Sequence, residues 1–426
     1  MQKPFYCKSI MLKAGALYYT VFISFIISLI IGSLLLYLYF HNQYINSEIL
    51  HERLTNNIES GINISLAAPE DIPYRKKKII DLYGDGESII EIRKEQWGAL
   101  DVVKVSSSLK KFTKTKIALQ GEYIFNTENQ ALYLCDLKKY LSISGDTRIV
   151  GNCSLPKLGI KQVYIQEKGY TGEHLVYGNK SQSKSSLPEI NQNLIAFNKV
   201  YFEPLEMTKD SIVNAGVVLS EDSIKQSFFD KTIVLYSDNP IDIDYQSITG
   251  NIIIVSNHSI TVGKNLNSRN IVLYAPQIEV EAGFRGDLQM FAMEKITIGK
   301  NCKLNYPSFL GLFDKSSVGD KMIHISEGSN IAGGILFMGG NEKNNQLTLA
   351  RNTNIYGQVF CNGNMELKGS IYGSLYCKKF VLKTKSTYYE NHLMDATIDF
   401  TSLNENYTGF DLIEGTDEKR LIRWLN

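Results

Sequence analysis

A phrase of nineteen residues returns along the second half of the chain, and it restricts the fold more than any other feature. Written in lines of nineteen from Thr232, the sequence reads "TIVLYSDNPIDIDYQSITG", "NIIIVSNHSITVGKNLNSR", "NIVLYAPQIEVEAGFRGDL" and "QMFAMEKITIGKNCKLNYP", with "SFLGLFDKSS" opening a fifth line at Ser308. An early apolar burst marks each line. A second, alternating burst follows at Ile241 and Ile243, Ile260 and Val262, Ile278 and Val280, and Ile296 and Ile298. A third apolar position recurs at Ile248, Leu266, Phe284 and Leu304. Three short strands per period, with polar or Gly corners, predict a stacked β-solenoid. One coil cannot bury its inward side chains alone, so stacking supplies the core. Ile252, Ile254, Ile271 and Leu273 are expected to face inward in adjacent coils.

The repeat continues with corners of changing length. Apolar bursts start at Gly334, Gln358 and Ser374, and the solenoid is assigned to residues 231–383. Gly333–Gly334 and Gly339–Gly340 read as coil corners, since neither continues into a phosphate-binding loop. Between residues 70 and 230, stretches such as "SIIEIRK", "DVVKVSS" and "KIALQGEYIF" read as strands of a β-rich region. "GNKSQSKSSLPEIN" (178–191) reads as a polar loop, and "TKDSIVNAGVVLSEDSIKQSFFD" as either a helix or a linker. Residues 384–426 follow the last coil, where they are expected to cover an open strand edge.

At the other end, no Asp, Glu, Lys or Arg occurs between Ala14 and Phe40. Such a run exceeds the roughly 20 apolar residues that cross a bilayer as a helix. Residues 1–13 carry Lys3, Lys8 and Lys13 and no acid. The positive-inside rule places that leader in the cytoplasm and everything after residue 40 outside. Beyond the span, Ile45, Ile49, Leu54, Ile58 and Ile62 form an apolar stripe on a helical stalk over 41–68. The stripe suits packing on the chain's own domain or on a partner helix. The expected fold is therefore mainly β: a transmembrane α-helix (14–40) and stalk, a β-rich region (70–230), then a β-solenoid, or β-helix, with coils of about 19 residues.

Two resemblances follow. A short basic leader ending "KAG", then "AL" and a long apolar helix running into an amphipathic one, is similar to the minor pilin and pseudopilin family. That resemblance implies cleavage by a prepilin peptidase between Gly15 and Ala16. Major pilins carry Glu at the fifth mature position, where Thr20 stands here, so it implies a tip or accessory subunit. The pattern in "NTNIYGQVFCNGNMELKGSIYGSLYCKKFVL" resembles the bactofilins, which polymerise through open solenoid ends.

The search for chemistry finds little. Six His are scattered and no C-x-x-C occurs, so no metal or cofactor is expected. Cys135 and Cys153 can pair if their strands are neighbours, and Cys361 and Cys377 read as stacked thiols or a disulfide. Asp242, Asp244, Glu279 and Glu281 alternate with inward residues. They read as solvated positions, with a glycosidase pair as the catalytic alternative. Arg75–Lys78 reads as a solvated turn. With 45 Lys+Arg against 44 Asp+Glu, no nucleic-acid partner is expected. The expected function is non-enzymatic: a minor-pilin-like accessory component of a pilus or secretion-type apparatus. It would sit in the inner (cytoplasmic) membrane of a bacterial cell envelope, with its C-terminal region periplasmic or extracellular. The partners would be the lipid bilayer, other pilin-like or envelope subunits and a prepilin peptidase. The alternative is a cell-surface β-helix that binds or cleaves polysaccharide.

Overall fold

The computed structural model describes residues 14–125, 130–203, 212–244, 246–313, 320–340, 344–384, 387–414 and 418–426. The leader, with Lys3, Cys7, Lys8 and Lys13, lies outside the described residues.

One helix, α1 (Ala14–Ala67), runs 54 residues, or about 80 Å at the helical rise. It is uninterrupted because the segment holds no Pro, and its single-residue Gly positions are tolerated. A five-stranded antiparallel sheet packs on its C-terminal third. The sheet contains β1 (Lys77–Asp81), β2 (Ile89–Trp97), β3 (Leu100–Leu109), β4 (Phe112–Glu122) and, beside β4, the last strand of the chain, Lys419–Leu425. Period-2 alternation divides each strand between two environments. Ile90, Ile92, Val103, Val105 and Ala118 form a core with Ile58 and Ile62 of α1. Ile117 and Leu119 point the other way and join the main core. Gly61 permits the close helix–sheet approach, since a Cβ there would lie 2.6 Å from Cγ1 of Val105.

The solenoid is a parallel stack of about 12 turns. Its register is the one the repeat requires. Ile252 opposes Ile271 and Ile254 opposes Leu273 on neighbouring strands, and all four are buried. An inward column runs from Leu235 through Ile254, Leu273, Met290 and Leu310 to Ile335, Val359 and Leu375. The I-x-G pattern of the later coils has a backbone cause. Gly333, Gly357 and Gly373 are register partners with φ of 155°, 143° and 144°. A Cβ at any of them would strike the carbonyl oxygen of the preceding coil, at Ser308, Gly333 and Gly357 respectively.

The stack extends beyond residues 231–383 at both ends, and not in chain order. It begins with strands Ile212–Asn214 and Ser223–Gln226, pairing with Ile233–Ser237 and Ser247–Ser256. Thus the described part of the segment that read as helix or linker, from residue 212, is a first coil carrying one short helix, Ala215–Val218. At the far end, Leu375–Cys377 pairs in parallel with Leu132–Leu134, and that strand pairs with Cys153–Ser154. Residues 130–182, placed in the β-rich region by sequence, therefore make the terminal coils. Strand Lys180–Gln182, inside the expected 178–191 loop, pairs with Cys153–Leu155. The tail does more than cover an edge. Strands His392–Met394 and Thr397–Asp399 complete a hybrid coil between Ser370–Ile371 and the strands Leu141–Ser144 and Arg148–Val150. The C-terminal end of the array, where the bactofilin resemblance implied an open polymerisation edge, is closed by the chain's own earlier residues.

One outward face of the solenoid is covered by the antiparallel sheet together with the helical segment 192–202 and the tail around Phe410. Val272, Tyr274, Phe291 and Phe309 alternate with inward residues, yet each is buried. Tyr274 stacks on Tyr201 at 4.4 Å, and Phe309 meets Phe410 at 4.9 Å. Gln289 fastens the contact, accepting from the Ala99 N–H at 2.7 Å and donating to the Trp97 carbonyl at 3.2 Å. Helix, sheet and solenoid thus form three layers with the sheet in the middle.

Candidate assembly interface

The stripe on α1 divides where the sheet ends. Leu54, Ile58 and Ile62 are 1%, 0% and 3% exposed, whereas Ile45 and Ile49 are 41% and 50% exposed. Packing on the chain's own domain holds for the second half of the stripe, and the first half is left uncovered. From Gly15 to Ile49 the helix stands clear of the rest of the chain, and it is long and apolar enough to cross a membrane. The Thr and Ser hydroxyls of its charge-free span are satisfied internally. Thr20 donates to the Leu17 carbonyl at 2.8 Å, Ser24 to Thr20 and Ser28 to Ser24, as a helix in hydrocarbon requires. Thr20 carries no charge to offer a neighbouring chain. Gly15 and Ala16 lie in the first turn, and nothing comes within 4 Å of a Cβ placed at Gly15.

At the top of the sheet lies a polar cluster that sequence reasoning missed. The Tyr74 hydroxyl donates to Asp101 at 2.9 Å, Lys419 pairs with Asp411 at 2.6 Å, and Lys94 donates to the Pro69 carbonyl at 2.5 Å. Burial holds the Asp101 pKa up against the pull of Lys419 and Lys94. Burial alone would lower that of Lys419, but Asp101 and Asp411 outweigh it and raise it. The arrangement resembles an acid–base centre in composition, but the adjoining cavity of about 10 Å³ has room for roughly one water. Its geometry suits a lock that joins β2, β3, the tail and the last strand. No local pattern foretells it, because Asp101 and Lys419 are distant in the chain.

The four carboxylates fall on the surface. Asp242 and Glu279 share one outward column with Thr261 between them. Asp244 instead accepts from the Asn265 N–H at 2.9 Å, and Glu281 from the Lys264 N–H at 3.3 Å, so both serve coil corners. Of the Arg75–Lys78 run, Lys77 pairs with Glu91 and Lys78 with Asp71. All five described cysteines are free, buried thiols, including Cys302, which the sequence reading passed over. Cys153 lies opposite Leu132 rather than Cys135. Burial pushes the thiols of Cys135 and Cys153 up to about 12. Cys361 and Cys377 are register partners, as the stacked reading had it. Among the described residues, no group of three or more His, Cys, Asp or Glu could hold a metal ion.

No family model and no curated protein matches the chain. Among solved structures, the competence-associated pilin ComZ from Thermus thermophilus aligns at 9% identity, over 83% of this chain and 88% of that one, with a TM-score of 0.24. A similarity that low leaves the functional reading to the chain's own geometry.

Proposed function

We propose that this chain is an exported, single-pass membrane protein with a structural, non-catalytic role: a pilin-like accessory subunit of a pilus or secretion-type apparatus. The observation that carries the reading is the division of α1, one end clasped by an antiparallel sheet and the other a free apolar rod. An anchor helix that ran straight from the bilayer into its domain core would leave no apolar stretch uncovered between the two. This one continues with Ile45 and Ile49 uncovered beyond the charge-free span, where a helix of another subunit can pack. The three leader lysines favour a cytoplasmic N-terminus and a solenoid on the far side of the inner membrane. Cleavage by a prepilin peptidase between Gly15 and Ala16 would remove those lysines and free the rod to leave the bilayer. Without a Glu at position 20, lateral contacts would rest on apolar packing, which suits a tip or accessory position.

Mass spectrometry of the membrane-extracted protein tests this reading. The expected chain begins at Ala16, and Gly15→Leu abolishes it. An intact Met1 or Gln2 terminus, in cells that possess a prepilin peptidase, would refute the processing step.

A further inference from the structure

The solenoid runs alongside β4, and its last coil lies farthest from the apolar rod. β4 starts beside His51, whose ring lies 6.1 Å from that of Phe112, and reaches Ser65, which accepts from Gln120 at 2.6 Å. Along that direction Lys104, opposite Ile117, lies by Phe229, Arg423 pairs with Asp287, Glu122 bonds Gly409, and Phe125 meets Phe400. The coils thus follow from first to last away from the rod, ending in residues 160–182. Strand Ile160–Gln162 pairs with Leu141–Ile143, and strand Lys180–Gln182 with Cys153–Leu155. Among the described residues neither has a strand on its other side. All of Lys180–Gln182 is exposed. The Cys153 N–H donates to the Asn179 carbonyl and the Ser183 N–H to the Leu155 carbonyl, both at 2.8 Å. Residues 179, 181 and 183 therefore bond toward the stack, and the N–H and C=O groups of Lys180 and Gln182 face away from it. Beside this edge lies an open groove of about 370 Å³, with Lys157, Leu158 and Ile160 on its other wall. Its lining holds two lysines and no acid, and neither Lys157 nor Lys180 has an ion-pair partner among the described residues.

We infer that this edge takes up an extended acidic segment of another protein as an added strand. A peptide backbone supplies donors and acceptors in the alternation that Lys180 and Gln182 present, whereas a phosphodiester chain can only accept. A strand added in register sets one side chain directly over Lys180, which continues the column of Leu375, Leu132 and Cys153. A carboxylate at that place makes a cross-strand pair of opposite charge, and a second is drawn to Lys157. Leu158, 45% exposed, offers apolar area to the side chains between. A second copy meeting this edge with its own would set lysine against lysine, the usual guard against self-pairing, so the partner is a different, acidic chain. The inference stands independently of leader processing and of what packs on the rod.

Fluorescence anisotropy with the full-length protein in nonionic detergent tests the inference. The dye-labelled probes are a short peptide alternating glutamate with valine, its fully N-methylated form, its lysine–valine counterpart, and an oligothymidylate of equal negative charge. The expected result is saturable binding of the acidic peptide, weaker by about tenfold or more for the N-methylated form, which cannot donate along the edge. Lys180→Glu should weaken the acidic peptide by about the same factor and reverse the preference toward the lysine peptide. Gln182→Pro removes one outward N–H and no bond to Cys153–Leu155, and it should weaken the acidic peptide as well. Both positions are exposed, and thermal melting identifies any fold loss. No saturable binding, equal binding of the N-methylated peptide, an unchanged preference in Lys180→Glu, or tighter binding of oligothymidylate would each overturn the assignment.

Discussion

Leu273 and Asp242 lie in neighbouring regions of one solenoid, yet truncation should treat them very differently. Leu273 is fully buried in the inward column, and Leu273→Ala should cost about 2–5 kcal/mol through lost burial and the cavity left behind. Asp242 is exposed, and Asp242→Ala should stay within about 0.5 kcal/mol. Asp244→Ala should fall between them, near 1 kcal/mol, because its carboxylate takes the Asn265 N–H. Urea titrations measure all three, and equal losses for Leu273 and Asp242 would invert the assigned faces. The inward side chains were legible in the sequence because a period of two within each strand and nineteen between coils fixes them. The covering of Tyr274 and Phe291 was not. Alternation says only that they face out, and the helical segment that packs on Tyr274 through Asn198, Tyr201 and Phe202 lies some seventy residues upstream.

Among the elements, the junction between the repeat array and coils 130–182 is the place where the chain closes on itself. Glu390 and Asp395 bridge it, and Asp399 caps the turn that follows the hybrid coil. The Lys139 ammonium pairs with Glu390, and Lys379 adds a second pair at 3.3 Å, so the Glu390 pKa is lowered. Burial opposes ionisation of Asp395 and Asp399. For Asp395 the contacts of Lys168 and the Asp146 N–H outweigh it, and for Asp399 those of Thr401 and Ser402, so both pKa values are also lowered. Each depressed value contributes stability that is present above the unfolded range near 4 and lost as pH falls through the folded values. Hydrogen exchange should therefore show residues 391–399 losing protection below about pH 4 earlier than the antiparallel sheet does. Simultaneous loss would mean that these pairs do not hold the junction. The repeat array was legible as an element because its spacing is nearly constant. The terminal coils escaped notice because Leu132, Cys153 and Lys180 stand at unequal spacing on strands of three to five residues. Without a fixed period they read as scattered strands. The last strand, Lys419–Leu425, read as tail for the same reason, since its partner β4 lies some three hundred residues upstream.

Across the whole molecule, the three layers give a rigid body carried on a rod. The sheet is apolar on both faces, so it couples α1 to the solenoid, and a force applied to one is transmitted to the other. That coupling is what an accessory subunit requires if the solenoid is to be presented at a fixed angle to its assembly. The apolar rod and its stripe were visible in the sequence. Where the stripe passes from self-packing to free was not, because it depends on where the sheet ends. Site-directed crosslinking in native membranes tests the assembly role most directly. The described cysteines are all buried, so a Cys7→Ser background offers a low reactive thiol count at the surface. In it, Ile45→Cys and Ile49→Cys should crosslink to another subunit, whereas Ile58→Cys, shielded beneath the sheet, should not. Unlinked protein at both 45 and 49, in cells expressing the native assembly, would contradict the account and leave the rod as an anchor alone.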